Sequence, residues 1–154
     1  MTDTETKYWI VVSSVDNFHR TKDLGFTIQG LKSRHRKKAE QMRPGDKIVY
    51  YCTGVKAFAG ISTITSEYFE SDELIWKSAN AKRAGEQYPF RVRIEGHLAL
   101  DNGDFVSAEP LARKMTYAKK WPAEHWTLAF QGNVHLVPEE DYVLIRTAIE
   151  SAGA

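Results

Sequence analysis

Seven lysines and arginines fall between Lys32 and Lys47, against only Glu40 and Asp46. Cations at that density can neutralise phosphates and release their counterions, the source of most non-specific affinity for nucleic acid. On charge alone, a solvated helix face is the commoner meaning of such a run. Aromatic residues accompany it: Trp9, Phe18, Phe26, Tyr50, Tyr51, Phe58, Trp121 and Trp126. A base stacked on an aromatic face gains ~1–3 kcal/mol, although core packing is the commoner role of each such residue. Reading a base also needs hydrogen bonds to its polar edge. Ser13, Ser14, Asn17 and Thr53 stand at predicted strand ends or helix starts and could supply them.

Other chemistries have less support. His19, His35, His97, His125 and His135 lie in no metal-binding spacing, and the CxxC pattern is absent, so no metal or cofactor is expected. There is no Walker pattern, no GxGxxG and no GxSxG elbow. Cys52 lies in an apolar run and reads as a small hydrophobe. The weak case for an enzyme is a small hydrolase of modified nucleosides, with Thr53, Lys56 and Glu67 as nucleophile, proton carrier and acid. A pocket for a free metabolite is a further alternative.

Composition bounds these readings. A chain of 154 residues with 42% hydrophobic and 12% aromatic content is rich enough in apolar side chains to fold. The net charge of +1 means that any basic surface must arise by segregation. One cysteine fits a reducing cytoplasm. No apolar run reaches the ~20 residues of a membrane span. Residues 1–6 read as a disordered tail and 7–152 as a single domain.

The elements that must hold these groups follow from periodicity. Residues 8–13 and 47–53 are apolar β-branched and aromatic runs, hence buried strands, the first of them central. Ser14 and Asp16 are N-cap types and predict a helix over 15–23, ended by Gly25. Residues 31–42 predict a second, basic helix, stopped by Pro44-Gly45. A long strand is expected over 58–69, with Gly60 at a bulge or close approach. Residues 71–85 read as irregular, with room for one helical turn. Phe90, Val92 and Ile94 alternate with Arg91, Arg93 and Glu95, the pattern of a half-buried strand. Asp101-Asn102-Gly103-Asp104 signals a hairpin. A short helix is expected over 110–115, the stretch 121–132 is ambiguous, and Pro138 opens a final helix cored by Tyr142, Ile145 and Ile149. The sum is an α+β protein: a small mixed, mostly antiparallel β-barrel with flanking helices.

Several segments in order carry a resemblance: YWIVVSS, Gly25-Phe26, RPGDKIVYY, FAGISTITSEYF, YPFRVRIE and VPEEDYVLI. Together they resemble the EVE domain, a branch of the PUA-like barrels related to the YTH readers of methylated adenine. The resemblance implies a reader that accepts a flipped modified base, whether methylated or hydroxymethylated cytosine or methyladenine. Its pocket would stand at one barrel mouth, beside the basic helix. Matching positions for the base pocket are Ser13, Ser14, Asn17, Gly25, Phe26, Tyr51, Thr53 and Trp126. The phosphate candidates are Lys32, Arg34, Arg36, Lys37 and Lys38. Many members carry a histidine-glycine-lysine element where this chain has Ser33 to Lys38. The implied partner is nucleic acid with a modified base, DNA favoured over RNA, with a separate effector such as a nuclease. An RNA-binding module that reads tRNA or rRNA shape is the alternative within the same superfamily.

Overall fold

The computed structural model describes residues 5–78 and 85–153. The two apolar runs become β1 (Tyr8–Ser13) and β3 (Lys47–Cys52), which pair in parallel from Tyr8↔Lys47 to Ser13↔Cys52. Between them come α1 (Val15–Asp23), β2 (Ile28–Leu31), a 3-10 turn over Ser33–His35 and α2 (Arg36–Gln41). After β3 follow β4 (Ala57–Ile64), β5 (Phe69–Glu70), β6 (Phe90–Ala99), β7 (Val106–Ser107) and α3 (Ala108–Ala112). Two 3-10 segments, Tyr117–Lys120 and Ala123–Phe130, lead to β8 (Val134–Val137) and α4 (Glu139–Ala152). The strand order is β2-β6-β4-β3-β1-β8, with β5 added on β6 and β7 on β4. Apart from β1 and β3, the pairs are antiparallel. The result is the expected mixed α+β architecture, a curled half-barrel with flanking helices.

Alternate side chains of β1, β3 and β4 enter two cores, which is why these strands read as continuous apolar runs. Ile10, Val12, Val49, Tyr51, Phe58 and Ile61 pack with Phe130, Ile145 and Ile149. Trp9, Val11, Ile48, Tyr50 and Ile64 pack with Phe18, Leu31, Met42, Val92 and Ile94 on the other face. The Pro-Gly turn delivers Asp46 into the barrel end. There its buried carboxylate accepts from the Lys7 and Arg43 backbone N–H groups and the Trp9 indole at 3.0–3.1 Å, and meets Lys7 Nζ at 3.3 Å.

The half-barrel's edge strands meet through one side chain. Asn133, just ahead of β8, donates from its amide nitrogen to Val12 O (3.1 Å) and accepts the Lys32 N–H on its amide oxygen (2.9 Å). Its own carbonyl accepts the Val12 N–H at 2.7 Å. Lys38 adds a bond from Nζ to Val134 O at 2.8 Å.

Several local expectations need correction. Residues 31–42 are not one helix: Leu31 ends a strand, and the α-helix starts only at Arg36. The 58–69 strand breaks after Ile64, and β5 pairs with β6 instead. Gly60 does sit beside a bulge opposite Tyr50/Tyr51, and a Cβ there would stand 2.8 Å from Leu98 O. Asp101 to Asp104 makes no hairpin, because β6 and β7 each pair with β4 rather than with one another. The short helix expected over 110–115 lies at Ala108–Ala112, and Pro138 is the N-cap of α4 rather than its first residue. Arg91, expected on the outer face of its strand, is 1% exposed. Residues 71–78 carry no helical turn. Residues 79–84, and residues 1–4 of the expected tail, lie outside the described set.

Candidate functional site

Because β1 and β3 run parallel, both end at the same mouth of the half-barrel, a recurrent place for ligand crevices. A cavity of about 100 Å³ opens there. Ser13, Ser14 and Thr53 form its floor, with Asn17 from the first turn of α1. Ser14 caps that helix, accepting the Asn17 N–H at 3.1 Å. Gln29 and Lys32 line the β2 side, Gly132 and Asn133 the β8 side. The roof is Trp76, Lys77 and Tyr88, from the connection between β5 and β6.

That roof is fixed from below. Buried Arg91 donates to Tyr88 O (3.0 Å), Ser71 Oγ (3.1 Å), Gln87 O (3.2 Å) and Glu73 O. Its guanidinium also lies 5.1 Å from the centre of the Trp76 ring. The Trp76 indole donates to Thr21 Oγ1 at 2.8 Å. Asn17 closes the joint: its amide donates to Lys77 O (2.7 Å) and accepts the Lys77 N–H (2.9 Å). The Trp76 ring rests on Gly30, where a Cβ would stand 2.4 Å from Cζ3. Tyr88 holds φ 51°, a conformation that costs a non-glycine residue of order 1–3 kcal/mol.

A second, more open cavity of about 520 Å³ adjoins the first, and both share Val12, Thr53 and Gly132. Arg34, Lys56 and Gln131 line it, with the Tyr51 ring stacked on Phe130 at 4.5 Å. Lys32, Lys77, Arg34 and Lys56 therefore stand around two adjoining cavities, and among the described residues no carboxylate lines either. Beneath this surface, His35 and His135 have pKa values lowered to about 4, first by burial and then by Lys38. Both are neutral at pH 7.

The profile of the EVE-domain family matches residues 7–148. The chain belongs to the EVE-domain family. It is 28% identical to a UPF0310 protein of Pyrococcus abyssi, over 92% of this chain and 99% of that one. Its fold is similar to that of the mmi1 YTH domain solved with RNA, at a TM-score of 0.68 and 12% identity, covering 96% of this chain and 83% of that one. A hypothetical protein from Leishmania major is similar at a TM-score of 0.65 and 16% identity, covering 97% and 98%.

In this EVE domain, Ser13, Ser14, Asn17 and Thr53 do converge on the first cavity. The remaining base-pocket candidates stand elsewhere. Phe26, at φ 53°, lies against Gly96, with its ring 5.6 Å from Phe18 and 5.9 Å from Tyr50. Gly25 is the exposed, positive-φ residue before it. Tyr51 lines the second cavity, and Trp126 a separate hollow. Among the phosphate candidates, Lys32 lines the first cavity and Arg34 the second. Arg36 pairs with Glu40 at 3.2 Å, Lys37 is exposed, and Lys38 is tied to Val134. Thr53 and Lys56 share the second cavity, but Glu67 lines neither. Burial pushes the Cys52 thiol up to about 12, which leaves no thiolate for nucleophilic work. Sequence reasoning missed Gln29, Trp76, Lys77, Tyr88 and Asn133. The apolar triplet Leu74-Ile75-Trp76 in an otherwise polar stretch was the available signal for the roof. Among the described residues, no cluster of His, Cys, Asp or Glu could hold a metal ion, and no helix is long and apolar enough to cross a membrane.

Proposed function

We propose that this EVE domain binds nucleic acid and holds one flipped, modified base at the mouth beside Trp76. Methylated or hydroxymethylated cytosine and methyladenine are the candidate bases, carried by DNA in preference to RNA. The observation that carries the reading is the paired cavity: among the described residues, four cations and no carboxylate line it, with Trp76 and Tyr88 above and small hydroxyls below. The cations suit a phosphate backbone. The aromatic walls suit a base, and Ser13, Ser14 and Asn17 suit its polar edge. The similar mmi1 YTH fold was solved with RNA.

Asn17 supports a route by which a base would enter. Its amide holds the Lys77 backbone through one donor and one acceptor, the pattern that a base edge presents. A cavity of about 100 Å³ holds only a few waters. A base therefore displaces Lys77 from Asn17 and lifts Trp76 as it binds.

The test is a tryptophan-fluorescence titration at low salt with matched DNA and RNA strands. They carry cytosine, 5-methylcytosine, 5-hydroxymethylcytosine, adenine or N6-methyladenine. A preference for one modified base is expected, lost in Asn17→Ala. Lys32→Glu with Arg34→Glu should weaken all strands alike and flatten the salt dependence. Equal binding of every strand would reduce the site to a basic surface, and no binding would overturn the reading.

A further inference from the structure

The 3-10 segment Ala123–Phe130 has cavities on both flanks. Thr127 and Phe130 face the second cavity described above, while Ala123 and Trp126 face a third hollow of about 310 Å³. Trp121 and Trp126 are its aromatic walls, with Arg113 and Lys119 at its rim. Among the described residues, no carboxylate lines it. Glu109, the nearest acid on α3, is paired with Arg113 at 2.6 Å, and Glu140 accepts from Thr116 Oγ1 at 3.2 Å. Lys120 lies 5.0 Å from the centre of the Tyr117 ring, itself 5.8 Å from Trp121.

The tryptophans divide into two kinds. Trp9 and Trp76 are buried, and their indole N–H groups donate to Asp46 and Thr21. Trp121 and Trp126 are half-buried, and among the described residues neither indole N–H has a partner. Burial obliges an indole N–H to find a protein partner, and these two nitrogens are instead open to solvent and to any bound molecule. Here two rings and two donors stand open inside a cationic rim.

We propose that this hollow is a second nucleic-acid site, in which Trp121 and Trp126 stack an unpaired base further along the strand than the neighbours of the one in the primary pocket. Lys119 holds the adjoining phosphate, with Arg113 engaged by Glu109 beside it, and an indole N–H donates to an acceptor on the nucleotide. The two sites are within reach of one strand. The second cavity adjoins the primary pocket, and Thr127 and Phe130 face it from the same segment whose Ala123 and Trp126 face the hollow, so a strand that crosses this segment meets both. The site rests on the reading of the primary pocket as a nucleic-acid site and extends its footprint.

The experiment compares a trinucleotide with a nonanucleotide, each carrying the same central modified base, as single-stranded DNA and as RNA. Wild type is expected to bind the nonanucleotide about tenfold more tightly, the worth of one stacked base. Trp121→Ala should remove that gain and leave the trinucleotide unchanged, and Trp121→Phe should restore most of it. Lys119→Glu, at an exposed position that threatens no core contact, should weaken the nonanucleotide alone, most at low salt. The relative loss in DNA and RNA shows which polymer the hollow prefers. If the trinucleotide binds but length brings no gain, or if the variants match wild type on the nonanucleotide, the second site is overturned and the primary reading stands. If wild type binds neither strand, the primary reading fails first. An acidic peptide that protects Trp121 from iodide quenching where no oligonucleotide does would mark a protein-docking surface and overturn the proposal.

Discussion

His35 and His135 lie beneath the basic surface with pKa values lowered from 6.5 to about 4, by burial first and Lys38 next. The unfolded chain therefore binds more protons than the folded one between those two values. Stability contributed by the neutral rings is complete above pH 6.5 and is lost as the pH falls towards 4. Urea midpoints measured across that window should decline steadily. His135→Gln should flatten the decline, and an unchanged slope would rule out His135 as a source. Tyr117 Oη lies 2.8 Å from His135 Nδ1, so the glutamine also tests that contact. Neither histidine announces its burial in sequence, because their neighbours Arg34, Lys38 and Val134 give no hint of a shared interior. Arg91 was hidden for a related reason. Alternation assigns it to the outer face of β6, but the connection carrying Trp76 folds over that face and buries it. Ser13, Ser14, Asn17 and Thr53 were legible because each lies just beyond a readable strand or at a readable helix start.

The β5–β6 connection is held as an element by Arg91, Thr21, Asn17 and Gly30. Gly30→Ala tests it most directly. The added methyl meets the Trp76 ring at 2.4 Å, so the ring must lift. Overpacking of this kind costs ~1–3 kcal/mol. A red shift in tryptophan emission with a modest drop in melting temperature is expected, along with easier access to the cavity beside Asn17. An unchanged spectrum would mean that Trp76 can slide without rising. Elements with one dominant period were readable, including β1, β3, α1 and α4. The four residues of β2 were not, since Ile28-Gln29-Gly30-Leu31 has too little pattern to declare a strand and owes its conformation to pairing with β6. The Asp101 to Asp104 turn carried the right residues for a hairpin, yet β4 was long enough to take both flanking strands as partners.

For the molecule as a whole, the order of the strands leaves β2 and β8 as unpaired edges, and Asn133 joins them. Asn133→Ala removes both side-chain bonds and leaves Val12 O and the Lys32 N–H without this partner. A loss of about 2–4 kcal/mol in chemical denaturation follows from two such bonds at a 3% exposed site. A loss below about 0.5 kcal/mol would show that water replaces the amide without penalty. The barrel class and its family were legible from strand order and the Pro-Gly-Asp and Pro-Glu-Glu-Asp segments. The joint was not, because an asparagine after a glycine reads locally as a turn. Its two bonds span 101 and 121 residues of sequence. Contacts so distant along the chain are closed late, after local pairing has formed. During synthesis, then, β1 to β6 emerge as an open sheet whose ligand mouth lacks the wall built by Gly132 and Asn133. A chain stalled before Asn133 would thus hold most of its strands and only part of the proposed site.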